Sequence, residues 1–291
     1  MRDGVASGRI GAVIRGAVVS AIVMILAGCS AAGLVYNQAD WLVTDYIAEL
    51  AEFDNTQRNA LQERLAAVHS WHRRSELPQY AELIGDTLDY VADGLTRAEV
   101  DDVYLRGRAR YTALMRRFGV AAAPVLDTLR PDQVETLTTN LAEANDDFRD
   151  KYANADPEER RERRRERMYE RVEFLVGDLS EEQRAAVKAR TDAFPDSGPL
   201  WLAYREKQQL QLLSLLKERR GASAIEQHLV AWLGDQRGRG ERLDANTKAV
   251  EDRVAEIILS VTASLDSSQR ETLVDELRSY RRLIAELAAD S

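Results

Sequence analysis

Five times along this 291-residue chain an apolar residue opens a short box that closes four positions later on Gln or Glu. The copies are Phe53-Asp-Asn-Thr-Gln57, Leu95-Thr-Arg-Ala-Glu99, Leu129-Arg-Pro-Asp-Gln133, Leu179-Ser-Glu-Glu-Gln183 and Leu265-Asp-Ser-Ser-Gln269. Four of them place Asp, Thr or Ser three residues before the closing Gln or Glu; Arg130 breaks the pattern in the other. This is capping-box spacing: the short and the long side chain each satisfy a backbone N–H that the first turn of a helix leaves without a partner. The leading apolar residue can staple onto the new helix. The boxes therefore predict helix starts near Thr56, Thr96, Pro131, Ser180 and Ser267. Their uneven separation argues against a regular solenoid.

Between the boxes, apolar residues recur at helical intervals: Leu61, Leu65 and Val68; Leu210, Leu213 and Leu216; Val254, Ile257, Ile258 and Val261; then Leu273, Val274, Leu277, Tyr280, Ile284 and Leu287. Dense strand-type alternation is missing. Pro78, Pro124, Pro131, Pro157, Pro195 and Pro199 mark further helix boundaries, because proline suits a first turn and disfavours a helix interior. The expectation is an all-α fold, an elongated multi-helix bundle of antiparallel helices, as one bundle or two helical subdomains. The strongest break is Phe194-Pro-Asp-Ser-Gly-Pro199. It would separate an N-terminal helical bundle, 36–193, from a C-terminal helical bundle, 200–291, with 194–199 as a Pro/Gly break.

The N-terminus supplies an address. Arg2, Arg9 and Arg15 precede and flank an apolar run from Gly16 to Ala27, which ends in Leu26-Ala-Gly-Cys29. This order matches a bacterial secretory signal peptide, here residues 1–28. A membrane span usually needs about 20 apolar residues, and this run is shorter. Leu-Ala-Gly-Cys resembles the lipobox of bacterial lipoproteins, which implies that Cys29, the only cysteine, is acylated after cleavage. Residues 29–35 would be a lipid-anchored spacer. Several acyl chains hold a protein firmly on a bilayer where one binds marginally. Ser30 follows the cysteine, where lipoproteins retained in the inner membrane typically carry Asp. That resemblance points to the periplasmic leaflet of the outer membrane. Cleavage would remove Arg2, Arg9, Arg15 and Asp3, leaving 37 basic and 48 acidic side chains and a formal charge of −11. So acidic a chain is a poor general binder of nucleic acid. A single cysteine also excludes a disulfide framework.

Two further stretches carry a resemblance. Leu34-Val-Tyr-Asn-Gln-Ala-Asp-Trp41 and Trp71-His-Arg-Arg-Ser-Glu-Leu-Pro-Gln-Tyr80 are similar to the Tyr-Asn-x-Ala-Asp-Trp and Trp-His-Arg-x-x-Glu-Leu-Pro patterns of an uncharacterised family of proteobacterial lipoproteins. The resemblance implies an envelope location and a helical fold, and it supplies no activity. Read on their own, Asn37 or Asp40 could cap the first helix while Tyr36 and Trp41 anchor it against the bundle or the bilayer interface. The alternative is a ligand site formed by Tyr36, Asn37, Asp40, Trp41, Trp71, His72, Arg73 and Glu76. On a continuous helix His69, His72 and Glu76 would share a face and offer a weak metal-ligand set. Arg73 and Arg74 oppose an added cation there. The bland alternative is a helix end in which Trp71 packs inward and Glu76 pairs with an Arg.

Arg160, Arg163, Arg164, Arg167 and Arg171 project along one side of a helix, with Glu158, Glu162, Glu166 and Glu170 largely opposite. Such a helix is either a solvated surface laced with ion pairs or an Arg platform for an anionic partner. Glycine-rich phosphate loops, Gly-x-Ser-x-Gly elbows and His-Glu-x-x-His motifs are missing, and no cofactor is expected. His228 fits a helix flank. The reading favoured is a non-catalytic envelope binding or scaffolding protein, with a membrane partner through its lipid and an envelope protein or anionic polymer as a further partner. Because the Leu-Ser/Thr-x-x-Gln boxes are similar to those of the small periplasmic stress chaperones of the Spy and CpxP type, a chaperone-like role is the first alternative. An envelope enzyme acting on peptidoglycan or lipid is the second; it needs a carboxylate or His site in a cleft.

Overall fold

The computed structural model describes residues 29–289. The expected signal peptide, 1–28, lies outside them, and so does the side chain of Cys29. The described chain is all-α, with α1 Cys29–Asn37, α2 Ala39–Leu50, α3 Asn55–Trp71, α4 Leu77–Asp93, α5 Arg97–Leu126 and α6 Pro131–Arg149. It continues with α7 Pro157–Val176, α8 Glu181–Asp192, α9 Gly198–Lys217, α10 Ala222–Leu229, α11 Glu241–Ala263 and α12 Ser267–Ala289. π-helical turns occupy His72–Glu76, Asp150–Asn154 and Val230–Gly234.

The boxes start the helices as their chemistry requires. Asp54 and Ser180 each accept from the N–H of the Gln three residues on, and that Gln accepts from the cap's own N–H. Asp266 and Gln269 do the same. Arg130 has no oxygen to give, yet its N–H still donates to Gln133 Oε1 at 3.0 Å, so half of the box survives.

What the boxes do next is not local. Gln57 Nε2 donates to Gln133 Oε1 at 3.0 Å, and Gln133 Nε2 donates back to Gln57 Oε1 at 2.7 Å. Each amide also donates to the carbonyl five residues before the other glutamine, Gln57 to Thr128 and Gln133 to Glu52. Gln183 and Gln269 repeat the arrangement, with both reciprocal bonds at 2.9 Å and the carbonyls of Ser264 and Asp178 as the outer acceptors. All four side chains are buried. Each uses both lone pairs of its oxygen and both hydrogens of its nitrogen, the full capacity of a primary amide. The box ending in Glu99 stays at the surface, where among the described residues its carboxylate accepts from the N–H and hydroxyl of Thr96. A carboxylate has no N–H with which to return a bond.

One such pair lies in each of two compact units. Of the described residues, the first comprises 29–73, 111–149 and 202–238; the second comprises 74–110, 150–201 and 239–289. These units do not follow the expected division at 194–199: each draws on residues from both sides of it. Proline and glycine there end α8 and begin α9, and Gly198 packs so closely on the Tyr152 carbonyl that a Cβ would stand 2.1 Å from its oxygen. The first unit closes on Leu61, Leu65, Ala122, Ala123, Leu137, Leu213 and Ile225. The second closes on Val91, Val176, Val187, Ile257, Val261 and Leu273.

Three details depart from the sequence expectations. Leu210 is 68% exposed, because successive steps of three drift backwards by about 60° each. The buried stripe of α9 runs instead through Gln209, Leu212, Leu213 and Leu216. Ile258 likewise lies on the exposed side of α11. Pro124 sits inside α5 rather than at its boundary, within the last turn, where only one ladder bond is forfeited.

Replacing Gln133 by Glu should destabilise the fold by about 3 kcal/mol or more, since a buried anion would face Gln57 Oε1 and the Glu52 carbonyl with no proton to offer either. Glu99→Gln in the surface box should change stability by under about 0.5 kcal/mol. Urea denaturation of the two variants checks this; similar small changes in both would refute the role of the pairs.

Candidate functional site

In the first unit the structure gathers most of the N-terminal motif residues onto the end of α3. The Tyr36 hydroxyl and His72 Nδ1 share a hydrogen bond of 3.0 Å. The Tyr36 ring meets His69 edge-on at 4.8 Å between centroids, and the Arg73 guanidinium stands 5.4 Å from the Tyr36 centroid. Arg73 donates to Asn37 Oδ1 at 2.7 Å. Asp40, in the first turn of α2, lies 3.5 Å from His69 Nδ1 and accepts from Gln62 Nε2 at 2.7 Å. Trp71 lies half-buried beneath Arg117, 4.1 Å from its ring centroid. Trp41 points away from this cluster's partners and is 53% exposed.

Two expectations are corrected here. Neither Asn37 nor Asp40 caps a helix: Gln38 holds the N-cap position of α2 without a side-chain bond, and the two polar groups are taken by Arg73 and by His69 with Gln62. The weak metal set is not assembled either. His72–Glu76 is a π-helical turn, which uses more residues per turn than an α-helix and carries Glu76 off the face shared by His69 and His72. Glu76 belongs to the second unit, buried and 3.6 Å from Arg110. Among the described residues no group of three His, Cys, Asp or Glu could hold a metal ion.

Burial shifts both histidines towards the neutral form. Burial, reinforced by His69, pushes His72 down to about 4. Burial also lowers His69, against the opposing pull of Asp40. His69 Nε2 is buried with no hydrogen-bond partner among the described residues. The arrangement fastens α1 and the start of α2 to α3; it holds the helix that begins at Cys29 in place. Gln62 and Arg117 were not singled out from the sequence. Gln62 had a legible signal, since it lies one heptad before His69 on the same face of α3; Arg117 had none.

In the second unit Asp156 caps α7 by accepting from the N–H groups of Glu158 and Glu159, with Pro157 in the first turn. The arginines of α7 are largely turned onto their own unit. Arg160 donates to the carbonyls of Ala153 and Ala155 and pairs with Asp196. Arg163 donates to the Lys151 carbonyl at 3.2 Å and pairs with Glu159. Arg161 and Arg165 pair with Glu158, and Arg165 also with Asp192. Arg164 and Arg167 are half-buried, while Arg171 is exposed. The continuous solvated face read from the sequence is therefore divided, because the segment 150–156 and Asp196 cover much of it. His228, in the first unit, bonds the Gln208 carbonyl through Nε2 at 2.9 Å.

With its folded-state value below the ordinary 6.5, His72 takes up a proton in the unfolded chain first. Stability should thus be retained above neutrality and fall as pH drops from 6.5 towards 4, by roughly 3 kcal/mol from this group. Denaturation midpoints across that window should show the fall in the wild type and a flatter profile in His72→Gln. Parallel profiles would remove His72 as its source.

A model of a family of unknown function, DUF6279, matches residues 49–239. The Trp71–Glu76 motif lies within the match, whereas Cys29 and Tyr36–Trp41 precede it. No curated protein and no solved structure matches the chain.

Proposed function

From a chain that belongs to this family of unknown function, we propose a lipid-anchored envelope protein, acylated at Cys29 and held on the periplasmic leaflet of the outer membrane, that serves as a non-catalytic binding or scaffolding protein. The observation that carries this reading is the outer face of α1 and α2. Leu34 on α1 and Trp41 and Leu42 on α2 are 65%, 53% and 39% exposed, which leaves each of the two helices an apolar surface. The other side is fastened by Tyr36, Asn37 and Asp40. An apolar face carrying a tryptophan suits the headgroup boundary of a bilayer, and it begins five residues after the cysteine that would bear the lipid. No helix of the described residues is long and apolar enough to cross a membrane, so attachment in this reading rests on the lipid and this face. Ser30 supports the outer-membrane destination by the resemblance given above.

The chaperone-like alternative loses its sequence support, because Gln57, Gln133, Gln183 and Gln269 are consumed in holding each unit together. The histidine cluster is likewise spent on fastening rather than on a reacting group.

Mass spectrometry of the mature N-terminus should find acyl chains on Cys29, and Cys29→Ser should shift the protein from the outer-membrane fraction to the soluble periplasmic or unprocessed pool. With the lipid retained and Trp71, Trp201 and Trp232 replaced by Phe, a lipid-borne quencher should quench Trp41 emission, and Leu34→Glu/Leu42→Glu should lessen that quenching. An unmodified full-length chain as the main membrane species would contradict the proposal.

A further inference from the structure

The remaining arginines of α7 form an unbalanced charge. Arg160, Arg161, Arg163 and Arg165 are each matched by a carboxylate, Asp196, Glu158, Glu159 and Asp192 respectively. Arg164 and Arg167, one turn apart on the same side, have no carboxylate within ion-pairing distance among the described residues. Asp196, which attracts Arg164, is already engaged by Arg160, and Glu170 exerts the weaker pull on Arg167 after Tyr152. Both side chains are half-buried, and Arg164 Nε is buried with no hydrogen-bond partner among the described residues. Cations withdrawn from water are ordinarily paired.

The surroundings worsen the imbalance. Burial pushes Arg164 below its usual range, and Arg160, Arg161 and Arg167 push it further. Burial does the same to Arg167, with Arg171 and Arg163 adding to it against the pull of the Tyr152 phenol. The site is also held in shape: the carbonyls of Lys151, Ala153 and Ala155 fix the guanidinium groups of Arg163 and Arg160, and Gly198 locks against the Tyr152 carbonyl.

We propose that Arg164 and Arg167, framed by Arg163 and Tyr152, form a binding site for a phosphate-bearing anion. Two unbalanced guanidinium groups match the charge of a phosphate dianion, and their planar forks of donors match its oxygens bidentately. A lone carboxylate would neutralise one of the two. The site does not depend on acylation of Cys29. The same phosphoryl chemistry can come from free phosphate or from a lipid headgroup; a phosphodiester headgroup carries one charge and would balance one of the two guanidinium groups, so free phosphate is the fuller match.

The test compares thermal unfolding of the purified full chain in sodium phosphate, in sodium chloride of equal ionic strength, and with dihexanoyl phosphatidylglycerol or dihexanoyl phosphatidylcholine below their micellar concentrations. Phosphate, or the glycerol lipid, should raise the melting temperature of the wild type beyond the chloride control, and phosphatidylcholine should not. The effect of phosphate alone assigns free phosphate, and a larger effect of the glycerol lipid assigns the headgroup. Arg164→Gln/Arg167→Gln should weaken binding at least about tenfold, as expected when charged hydrogen bonds are lost, and should melt no lower than the wild type without anion. Arg171→Gln should bind as the wild type does. Phosphorus NMR line broadening on the wild-type protein gives a readout independent of the variants' folding. No broadening, a shift matched by chloride, or equal shifts in wild type and double variant would overturn the site.

Discussion

The structure depends on a side-chain amide that does two jobs at once. A glutamine at the third position of a helix returns a bond to its own cap through its oxygen, which leaves one lone pair and two hydrogens to satisfy. Burying that amide alone would cost several kcal/mol. Here a second glutamine in the same local setting meets the first, and each fills the vacancies of the other and of the preceding turn. Two helix starts, 76 residues apart in one unit and 86 in the other, are thereby bound to a single mutual orientation. Apolar burial supplies most of the driving force in such units, but it is non-directional. The amide pairs add the directional element that selects one packing of Leu61, Val134 and Leu137, or of Val187, Ile257 and Leu273.

Both proposed surfaces lie on elements that these units hold in place. In the first unit α3 starts at a paired glutamine and ends at Trp71-His72-Arg73, so the cluster that grips Tyr36, Asn37 and Asp40 inherits its placement from the amide pair at the other end of the same helix. The proposed membrane face follows on the opposite side of α1 and α2. In the second unit the capped start of α7, the π-helical turn before it and the Gly198 contact hold an arginine array in which four charges are balanced, and two of the other three, Arg164 and Arg167, are half-buried. That residual charge, rather than the length of the arginine run, distinguishes a binding site from a solvated helix.

Much of the helical layout was legible in the chain itself. Capping boxes act within four residues, so Asp54, Ser180 and Asp266 declared their helices directly, and Arg130 declared only half of one. The pairing of the boxes was hidden, since a bond between residues 76 or 86 apart leaves no trace in local spacing. One chemical clue was present: the unpaired box ends in Glu99, which lacks the N–H that the other four possess. Register was harder still. The π-helical turn at His72–Glu76 carries no marker that spacing can detect, and it dissolved a metal-ligand set that an uninterrupted α-helix would have assembled. Leu210 misled because its neighbours at steps of three are leucines as well. The spacing of the Arg helix was legible, but the fold-back of the segment just before it, 150–156, and the approach of 194–198 could not be placed against it from periodicity.

The most direct test of the account is a double-mutant cycle on Gln57 and Gln133, with each replaced by Met singly and together and unfolding free energies measured by chemical denaturation. Either single replacement strands the partner amide beside an apolar side chain, whereas the double replacement removes both unsatisfied groups. The account predicts that the double variant is less destabilised than the sum of the singles, with a coupling of about 2 kcal/mol. Additive losses would show that the two amides are independent caps and would contradict it.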